Sequence, residues 1–339
     1  MKQLSDKIVA KLQADMQAPD LAGTCYSLVR YLARGGMGSV WLVEDTVLHR
    51  RVALKVLDLV APADDLAARL LQEARILAGL EHPGIVPVHD AGTLPDGRAF
   101  YCMKFVEGQT LAQHIAGKNL PDRLRLLERI AEPVDFAHAR GFIHRDLKPE
   151  NIMIGAFGEV LVMDWGLAKV GATGLKLPSH KTITSAEPVQ PSSRTPSPTT
   201  SRVTGQGRVL GTPGYMSPEQ ARGDTEVDYR TDIFSLGALL RFVLTGCTPG
   251  EKSAADSNVP RPLHAICGKA MAADPNARYQ SARQMTADIA HYLNGESVSA
   301  YPENLIERAG RIYTRHRTAV ILVAVYLLMR ALFILFARR

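Results

Sequence analysis

Residues 142–154 read F-I-H-R-D-L-K-P-E-N-I-M-I, and this stretch decides how the rest of the chain is interpreted. It begins and ends with short apolar runs, which we predict to be two buried strands that hold the loop between them. The loop concentrates polar side chains that can accept protons, carry charge or bind a cation: His144, Arg145, Asp146, Lys148 and Asn151. In a loop held at both ends, a carboxylate, an ammonium group and an amide can converge on a phosphate group and its metal ion. The alternative is a polar loop whose charges only pair with each other.

The composition is that of a folded chain with ample material for a hydrophobic core. Its 339 residues are 46% hydrophobic and 22% charged, which argues against a disordered chain. The net charge of +6 is concentrated at the end, because residues 301–339 hold seven Arg against two Glu. Positive charge beside an apolar run favours a membrane surface, so no nucleic-acid partner is expected. The four cysteines lie far apart without a C-x-x-C pair, so neither a disulfide framework nor a zinc site is predicted.

Residues 28–57 predict a strand, a glycine-rich turn, a strand, a loop and a third strand. Gly35, Gly36 and Gly38 would let the backbone approach a phosphate group closely, although hairpin turns also use glycine for ordinary reasons. Lys55 ends the run V-A-L-K among apolar neighbours, where an unpaired ammonium group would be costly. It therefore needs anionic partners, and nucleotide phosphates together with a helix carboxylate would serve.

The chain after Lys55 turns from strands to helices. Residues 64–80 have helical periodicity, and Glu73 lies on this helix, where a carboxylate is usually a solvated edge residue. Two strands and then two helices are predicted next, over residues 85–90, 99–106, 110–117 and 121–140.

The string H-R-D-L-K-P-E-N at residues 144–151 resembles the catalytic loop of protein kinases at each signature position. The V-A-L-K run, a later D-W-G and a later S-P-E resemble three further kinase signatures in the same order. The resemblance covers about residues 26–293 and indicates the bacterial, membrane-anchored Ser/Thr protein kinases of the eukaryotic-like, Hanks type. It implies an α+β, bilobal protein kinase fold, with a mainly β N-lobe over 26–106 and a mainly α C-lobe over 107–293.

The resemblance also implies which residues carry the chemistry. Asp146 would orient and deprotonate a substrate hydroxyl and Lys148 would offset charge on the phosphoryl group. Lys55, held by Glu73, would position the phosphates of ATP. The metal, Mg²⁺ or alternatively Mn²⁺, would bind Asn151 and Asp164. The ATP pocket would be formed by Leu32, Ala33, Gly35, Gly36, Gly38, Val40, Ala53, Lys55, Met103, Lys104, Val106 and Met153, with Ala33 standing where the family has its first glycine.

Further residues would support this centre. Trp165 stands where the family has Phe and, with Gly166 after it, would pack near His144. Asp232 would brace the backbone of the catalytic loop, although a carboxylate near a helix start is commonly an N-cap.

Three residues towards the C-terminus complete the resemblance. Arg278 matches the family Arg that pairs with Glu219, although a surface Arg is the ordinary alternative. Thr212 would contact Asp146 and Lys148 and favour Ser or Thr over Tyr as the phosphate acceptor.

Residues 171–208 are rich in Ser, Thr and Pro, a composition that cannot bury enough apolar surface to order itself. A linker between two domains is one interpretation, and an enlarged activation segment over 164–219 is the other, which the flanking signatures favour. Arg145 would need a phosphate supplied from this segment. The candidate phosphorylation sites are Thr182, Thr184 and Thr204. A homodimer would allow one copy to phosphorylate the other.

The two ends of the chain are predicted to lie outside the kinase domain. Residues 1–25 lack the apolar core of a signal peptide and predict an N-terminal helical extension. Residues 318–336 are 19 residues with one charge, Arg330, which is long enough for a transmembrane helix. A terminal amphipathic or buried helix is the alternative. The basic juxtamembrane segment 294–317 predicts a single-pass protein of the cell membrane whose kinase domain is cytoplasmic.

These expectations combine into transfer of the γ-phosphoryl group of ATP to Ser or Thr hydroxyls of protein substrates, with autophosphorylation in membrane-linked signalling. The rival is a pseudokinase, a membrane-tethered scaffold that binds partners and transfers nothing. Its usual mark is loss of Lys55, Asp146 or Asp164, and all three are present.

Overall fold

The computed structural model describes residues 18–34, 38–57, 63–165, 169–170, 213–224, 227–251, 258–315 and 317–337, without every side chain of the first and last helices. Several predicted features lie outside the described residues: most of the extension 1–25, Gly35, Gly36, Gly166, residues 171–208 with Thr182, Thr184 and Thr204, and Thr212.

A five-stranded antiparallel sheet forms the first half of the fold. Its strands are β1 (Tyr26–Arg34), β2 (Gly38–Asp45), β3 (Arg50–Leu57), β4 (Val88–Thr93) and β5 (Ala99–Lys104), in the order β1-β2-β3-β5-β4. Helix α1 (Ala63–Gly79) packs on β4 and β5. Strand β4 begins later than predicted because Pro87 has no N–H for the ladder, and its carbonyl instead accepts the N–H of Lys104.

The outer face of this sheet carries its own apolar cluster, which includes Trp41, Leu54 and Phe100. Ala18 and Leu21 pack against the cluster, and the Arg98 guanidinium donates to the carbonyl of Ala18 at 2.8 Å. Residues 18–25 are therefore held on the sheet and form turns. For the residues before them, the predicted helical extension stays a prediction.

The second half of the fold is mainly helical. Its helices are α2 (Leu111–His114), α3 (Leu120–Ala139), α4 (Pro218–Arg222), α5 (Arg230–Thr245), α6 (Arg261–Ala270) and α7 (Ala282–Leu293). Twelve residues of α5 are buried, and α3 and α6 pack against it. The helix ends at Gly246, whose φ of 73° suits a residue without a Cβ. Helix α5 is thus the centre of this half.

Short strands lie where the two halves meet. Strands β6 (Gly108–Thr110), β8 (Ile152–Gly155) and β9 (Val160–Val162) form one sheet, and β7 (Phe142–Ile143) pairs with β10 (Lys169–Val170). Residues 105–107 join β5 to β6, and one apolar core continues from α1 into the helical half. The prediction of an α+β, bilobal fold with a mainly β N-lobe and a mainly helical C-lobe is confirmed.

Two helices, α8 (Leu305–Arg315) and α9 (Arg317–Ala337), follow the C-lobe. Within the described residues, no helix combines the length and the apolar character needed to cross a membrane. The transmembrane helix predicted over 318–336 is therefore not supported.

A buried ion pair ties α4 to the chain that follows α6. Arg278 donates from two guanidinium nitrogens to the two carboxylate oxygens of Glu219, at 2.6 and 2.8 Å. The same guanidinium donates to the carbonyl of Ala272 at 2.7 Å and to that of Arg230, at the start of α5, at 2.9 Å. Burial alone would raise the pKa of Glu219, but the bonds and charge of Arg278 and further hydrogen bonds together outweigh burial and lower this pKa.

Arg278→Leu should destabilise the fold by about 3–5 kcal/mol at neutral pH, because it leaves the Glu219 carboxylate buried and uncompensated. Since the pKa of Glu219 is lowered in the folded state, the stabilisation is present above its unfolded value of about 4.3 and is lost as the pH falls. The difference in the free energy of unfolding between parent and variant, measured by urea unfolding, should therefore become smaller below about pH 4. Exposed Arg283 is the matched control; equal destabilisation by Arg283→Leu would contradict the assignment.

Candidate active site

The catalytic loop runs from β7 through a single turn of 3₁₀ helix, Pro149–Asn151, into β8. Lys148 donates to the Asp146 carboxylate at 2.7 Å. The Asn151 amide nitrogen donates to the Asp146 carbonyl at 2.8 Å and reaches the same carboxylate at 3.3 Å. The loop thus brings a carboxylate, an ammonium group and an amide together within six residues of chain.

The side chain of Asp232 holds the backbone of this loop. It lies in the first turn of α5, is fully buried, and accepts the backbone N–H groups of His144 and Arg145, each at 2.8 Å. Arg145 has a φ of 70°, a left-handed conformation that residues with a Cβ rarely adopt. Gln220 of α4 donates to the Arg145 carbonyl at 2.7 Å. Helices α4 and α5 therefore fix the backbone immediately before Asp146.

Lys55 on β3 is the link between the lobes. Its ammonium group donates to the two carboxylate oxygens of Glu73 on α1, at 2.9 and 3.1 Å, and to Asp164 after β9 at 3.0 Å. Burial alone would lower the pKa of Lys55, but its anionic neighbours raise it well above the ordinary value. Burial alone would raise the pKa of Asp164, but the charge and the hydrogen bond of Lys55, with other nearby groups, lower it. Lys55 is therefore a permanent cation at the seam.

Tyr101 is a residue that the sequence analysis missed. It is the cross-strand neighbour of Lys55 on β5, and its hydroxyl donates to the Glu73 carboxylate at 2.7 Å. The Lys55 nitrogen lies 5.5 Å from the centre of the Tyr101 ring. Because Tyr101 is 1% exposed, its hydroxyl bond holds Glu73 in a dry environment. A strand over 99–106 was predicted, but a sequence alone does not give the strand register that places Tyr101 here.

Trp165 fills the position behind the loop. Its side chain is fully buried, and its ring centre lies 4.6 Å from that of His144. The other side of the His144 ring is tied to the carbonyl of Met163 at 3.0 Å. Asp164, between Met163 and Trp165, has a φ of 60°. The aromatic contact therefore turns the chain so that Asp164 reaches Lys55.

The predicted ATP pocket lies between β1, β2, β3, β5 and β8. Ala53 and Val106 are buried, whereas Leu32, Val40, Met103 and Met153 are half-buried and Ala33 is exposed. A cavity of about 440 Å³ reaches Leu32, Val106 and Met153. The Lys104 side chain is exposed, and Met103 is the strand partner of Ala53. Of the predicted pocket residues, Leu32, Val106 and Met153 thus border one cavity.

Gly38 has a packing role besides the one predicted. At the start of β2 it pairs with Leu57, and a Cβ on Gly38 would overlap the carbonyl oxygen of Val56. The absence of a side chain is therefore needed for the pairing of β2 with β3, whether or not a phosphate binds nearby.

The predicted metal ligands supply oxygen atoms, which Mg²⁺ prefers. Asp164 provides a carboxylate. Since the Asn151 nitrogen is used by Asp146, the amide oxygen of Asn151 is the atom left for a cation. Asn151 is 6% exposed, so the ligand is held rigidly. The donor set fits Mg²⁺, and Mn²⁺ would accept the same ligands.

Comparison with known proteins places this site in a family. The protein kinase domain matches residues 26–307. The chain belongs to the protein kinase domain family. The serine/threonine-protein kinase PknD of Chlamydia caviae is 34% identical over 302 residues, covering 80% of this chain and 31% of the relative. The serine/threonine-protein kinase PknB of Mycobacterium tuberculosis is 36% identical over 310 residues, covering 84% of this chain and 45% of the relative.

The solved structures agree with this family. The crystal structure of the Mycobacterium tuberculosis PknI kinase domain has a TM-score of 0.58 and 26% identity, covering 81% of this chain and 98% of that one. The chain spans about a third of the length of PknD and less than half of that of PknB. The matches thus concern the kinase domain of these longer proteins.

Tyr101→Phe should weaken the hold on Glu73 and cost about 1 kcal/mol of stability, the usual net value of one hydrogen bond. We also expect Mg-ATP to bind about two- to five-fold more weakly, since Glu73 then fixes Lys55 less firmly. Isothermal titration with Mg-ATP and urea unfolding measure the two effects. Tyr292→Phe is the control, because Tyr292 is partly buried but its hydroxyl has no hydrogen bond within the described residues. The assignment is wrong if both variants bind equally well.

Proposed function

We propose that this protein transfers the γ-phosphoryl group of ATP to Ser or Thr hydroxyls of protein substrates. The observation that carries the proposal is a set of hydrogen bonds. Lys148 and Asn151 both donate to Asp146, and Lys55 donates to both Glu73 and Asp164. These are the groups that phosphoryl transfer needs, namely a proton acceptor, fixed positive charge and oxygen ligands for a metal ion.

Each residue then has a defined part in the reaction. The Asp146 carboxylate orients the substrate hydroxyl and takes up its proton as the oxygen bonds to the γ-phosphorus and the bond to the leaving ADP oxygen breaks. Lys148 offsets the charge on the transferring group. Lys55 binds the α- and β-phosphates, and the backbone of the glycine-rich turn covers them. Asn151 and Asp164 would hold Mg²⁺ through their side-chain oxygens, and the ion would supply positive charge to the phosphate oxygens.

The choice of Ser or Thr as the acceptor rests on two supports. Lys148 stands two residues after Asp146, and Thr212 matches the position that favours these acceptors. The relatives named above are serine/threonine-protein kinases. The chain spans under half of the length of those relatives, so their names do not identify its protein substrates. The scaffold alternative is less favoured, since Lys55, Asp146 and Asp164, whose loss usually marks it, are all present.

We propose that a phosphate on the activation segment completes the site by binding Arg145. The guanidinium of Arg145 donates to the Val227 carbonyl at 3.2 Å, while its Nε is buried without a hydrogen bond within the described residues. Burial lowers the pKa of Arg145. A doubly charged phosphate would supply both the acceptor and the negative charge. Thr182, Thr184 and Thr204 are the candidate sources, and a homodimer would let one copy modify the other.

The catalytic proposal is tested by comparing phosphate incorporation into the full chain and its Asp146→Asn variant, each incubated with Mg-ATP and a Ser-containing basic protein. We expect the parent to label itself and the substrate, and the variant to lose at least about 100-fold of the rate, since the proton acceptor is gone. Mass spectrometry should locate phosphate within residues 171–208 of the parent alone. If the parent binds Mg-ATP but transfers no phosphate, the catalytic proposal is wrong and the scaffold alternative is favoured.

The cellular location is proposed on the sequence alone. The apolar segment 318–336, with Arg residues before it, suggests attachment to the cell membrane with the kinase domain in the cytoplasm. Removal of residues 318–339 should move the protein from the membrane fraction to the supernatant, and it should leave Mg-ATP binding unchanged. If the full chain remains in the supernatant, the proposed membrane attachment is wrong.

A further inference from the structure

Helix α8 begins with two large apolar side chains that lie in solvent. Leu305 is 84% exposed and Ile306 is 86% exposed. The helical period of about 3.6 residues places positions 309, 312 and 313 on the same face, and these positions hold Ala, Ile and Tyr. The apolar face is about 120° wide, which is enough for a helix to bury one side against an apolar partner.

The other side of α8 is basic. Arg308, Arg311 and Arg315 are separated by three and four residues, so the helical period places them together on one side. Residues 305–317 hold four Arg against one Glu. A helix with an apolar face and a cationic face is typical of segments that lie in the plane of a bilayer surface, with the apolar face among the acyl chains and the basic face at the headgroups.

Glu307, the acidic residue of α8, ties the start of the helix to the C-lobe. Its carboxylate accepts the Tyr301 hydroxyl at 2.9 Å and the backbone N–H of Asn304 at 3.1 Å, and the Arg261 guanidinium of α6 lies 3.6 Å away. The bond from Asn304, followed by that from Tyr301, lowers the pKa of Glu307. The first turn of α8 is therefore held beside α6.

The chain between α7 and α8 is anchored as well. Asp288 on α7 is 2% exposed, and its carboxylate accepts the backbone N–H and the hydroxyl of Ser299 at 2.8 and 2.7 Å. The Tyr279 hydroxyl donates to the same carboxylate at 2.8 Å. Val298 is buried, and Tyr301 packs against the core. Because α8 starts from a point held on the C-lobe, a surface that binds α8 also orients the kinase domain.

Two observations favour a lipid surface over a second copy of the chain as the partner of α8. Residues 321–330 of α9 are all exposed and, apart from Arg330, apolar, so α9 needs apolar surroundings on every side. Because α9 begins two residues after α8 ends, a medium that surrounds α9 also reaches the apolar face of α8. A second copy would bring two sets of Arg side chains together, whereas the negative headgroups of a bilayer attract them.

We propose that α8 is an interfacial helix that binds the surface of an anionic lipid bilayer. Leu305 and Ile306 insert among the acyl chains, while Arg308, Arg311 and Arg315 lie at the negative headgroups. The place of this contact in the cell rests on the membrane attachment proposed above for residues 318–336. The affinity of α8 for anionic lipid depends neither on that attachment nor on phosphoryl transfer.

Hydrogen exchange of the α8 amides in the full chain tests the proposal, with vesicles of phosphatidylcholine alone or with about 30% phosphatidylglycerol added. We expect exchange at least about ten-fold slower with the anionic vesicles. Leu305→Ala combined with Ile306→Ala removes apolar area but keeps helix propensity, and it should abolish this difference. Val47→Ala combined with Leu48→Ala is the matched control, because these side chains are 70% and 61% exposed between β2 and β3. The control should keep the protection of the parent.

Flotation of the full chain with each kind of vesicle separates this proposal from attachment by residues 318–336. If the chain floats with both kinds but α8 exchanges equally in both, the attachment holds and this proposal is wrong. If the chain floats with the anionic vesicles alone, and L305A/I306A abolishes flotation, this proposal holds and the attachment is wrong. Protection of α8 that appears without vesicles and grows with protein concentration would identify a second copy as the partner and overturn the proposal. Undiminished protection in L305A/I306A would overturn it as well.

Discussion

The ion pair of Lys55 with Glu73 is the interaction on which the arrangement of the two lobes depends. An ammonium group that is 6% exposed cannot remain charged without anionic partners, and this one has a carboxylate on α1 and another at Asp164. Loss of one partner from such a buried pair costs about 3–5 kcal/mol, against about 0–1 kcal/mol for a pair in water. The two ion pairs of Lys55 therefore bring α1 and the chain after β9 together against the sheet.

Sequence reasoning reached the catalytic loop because its geometry is local. Asp146, Lys148 and Asn151 lie within six residues, so a turn between two short strands is enough to bring them together. The partners of Lys55 lie 18 and 109 residues away. No periodicity connects positions so far apart. Glu73 was expected as a partner only because the motifs resemble a known family, and Asp164 was expected as a metal ligand and not as a partner of Lys55. Tyr101 belongs to no such motif, and it became visible only when the register of β3 and β5 placed it opposite Lys55.

Asp232 illustrates an alternative that the sequence left open. A carboxylate near the start of a helix is as consistent with an N-cap as with a tertiary role. In the structure, Tyr229 occupies the cap position and Asp232 lies inside the first turn, where its side chain faces the catalytic loop. Helix boundaries read from a sequence are uncertain by one or two residues, which is as much as separates the two roles.

The supports of the catalytic loop act mainly on its main chain. Asp232 binds the amides of residues 144 and 145, Gln220 binds the carbonyl of residue 145, and Asn151 binds the carbonyl of Asp146. Main-chain anchors do not depend on which side chain stands at Asp146. The loop can thus hold the strained backbone at Arg145 while the carboxylate of Asp146 is left to the chemistry. Replacement of that carboxylate by an amide of the same shape should therefore change proton transfer without moving the loop, which is why the stability of the site and its reactivity can be measured separately.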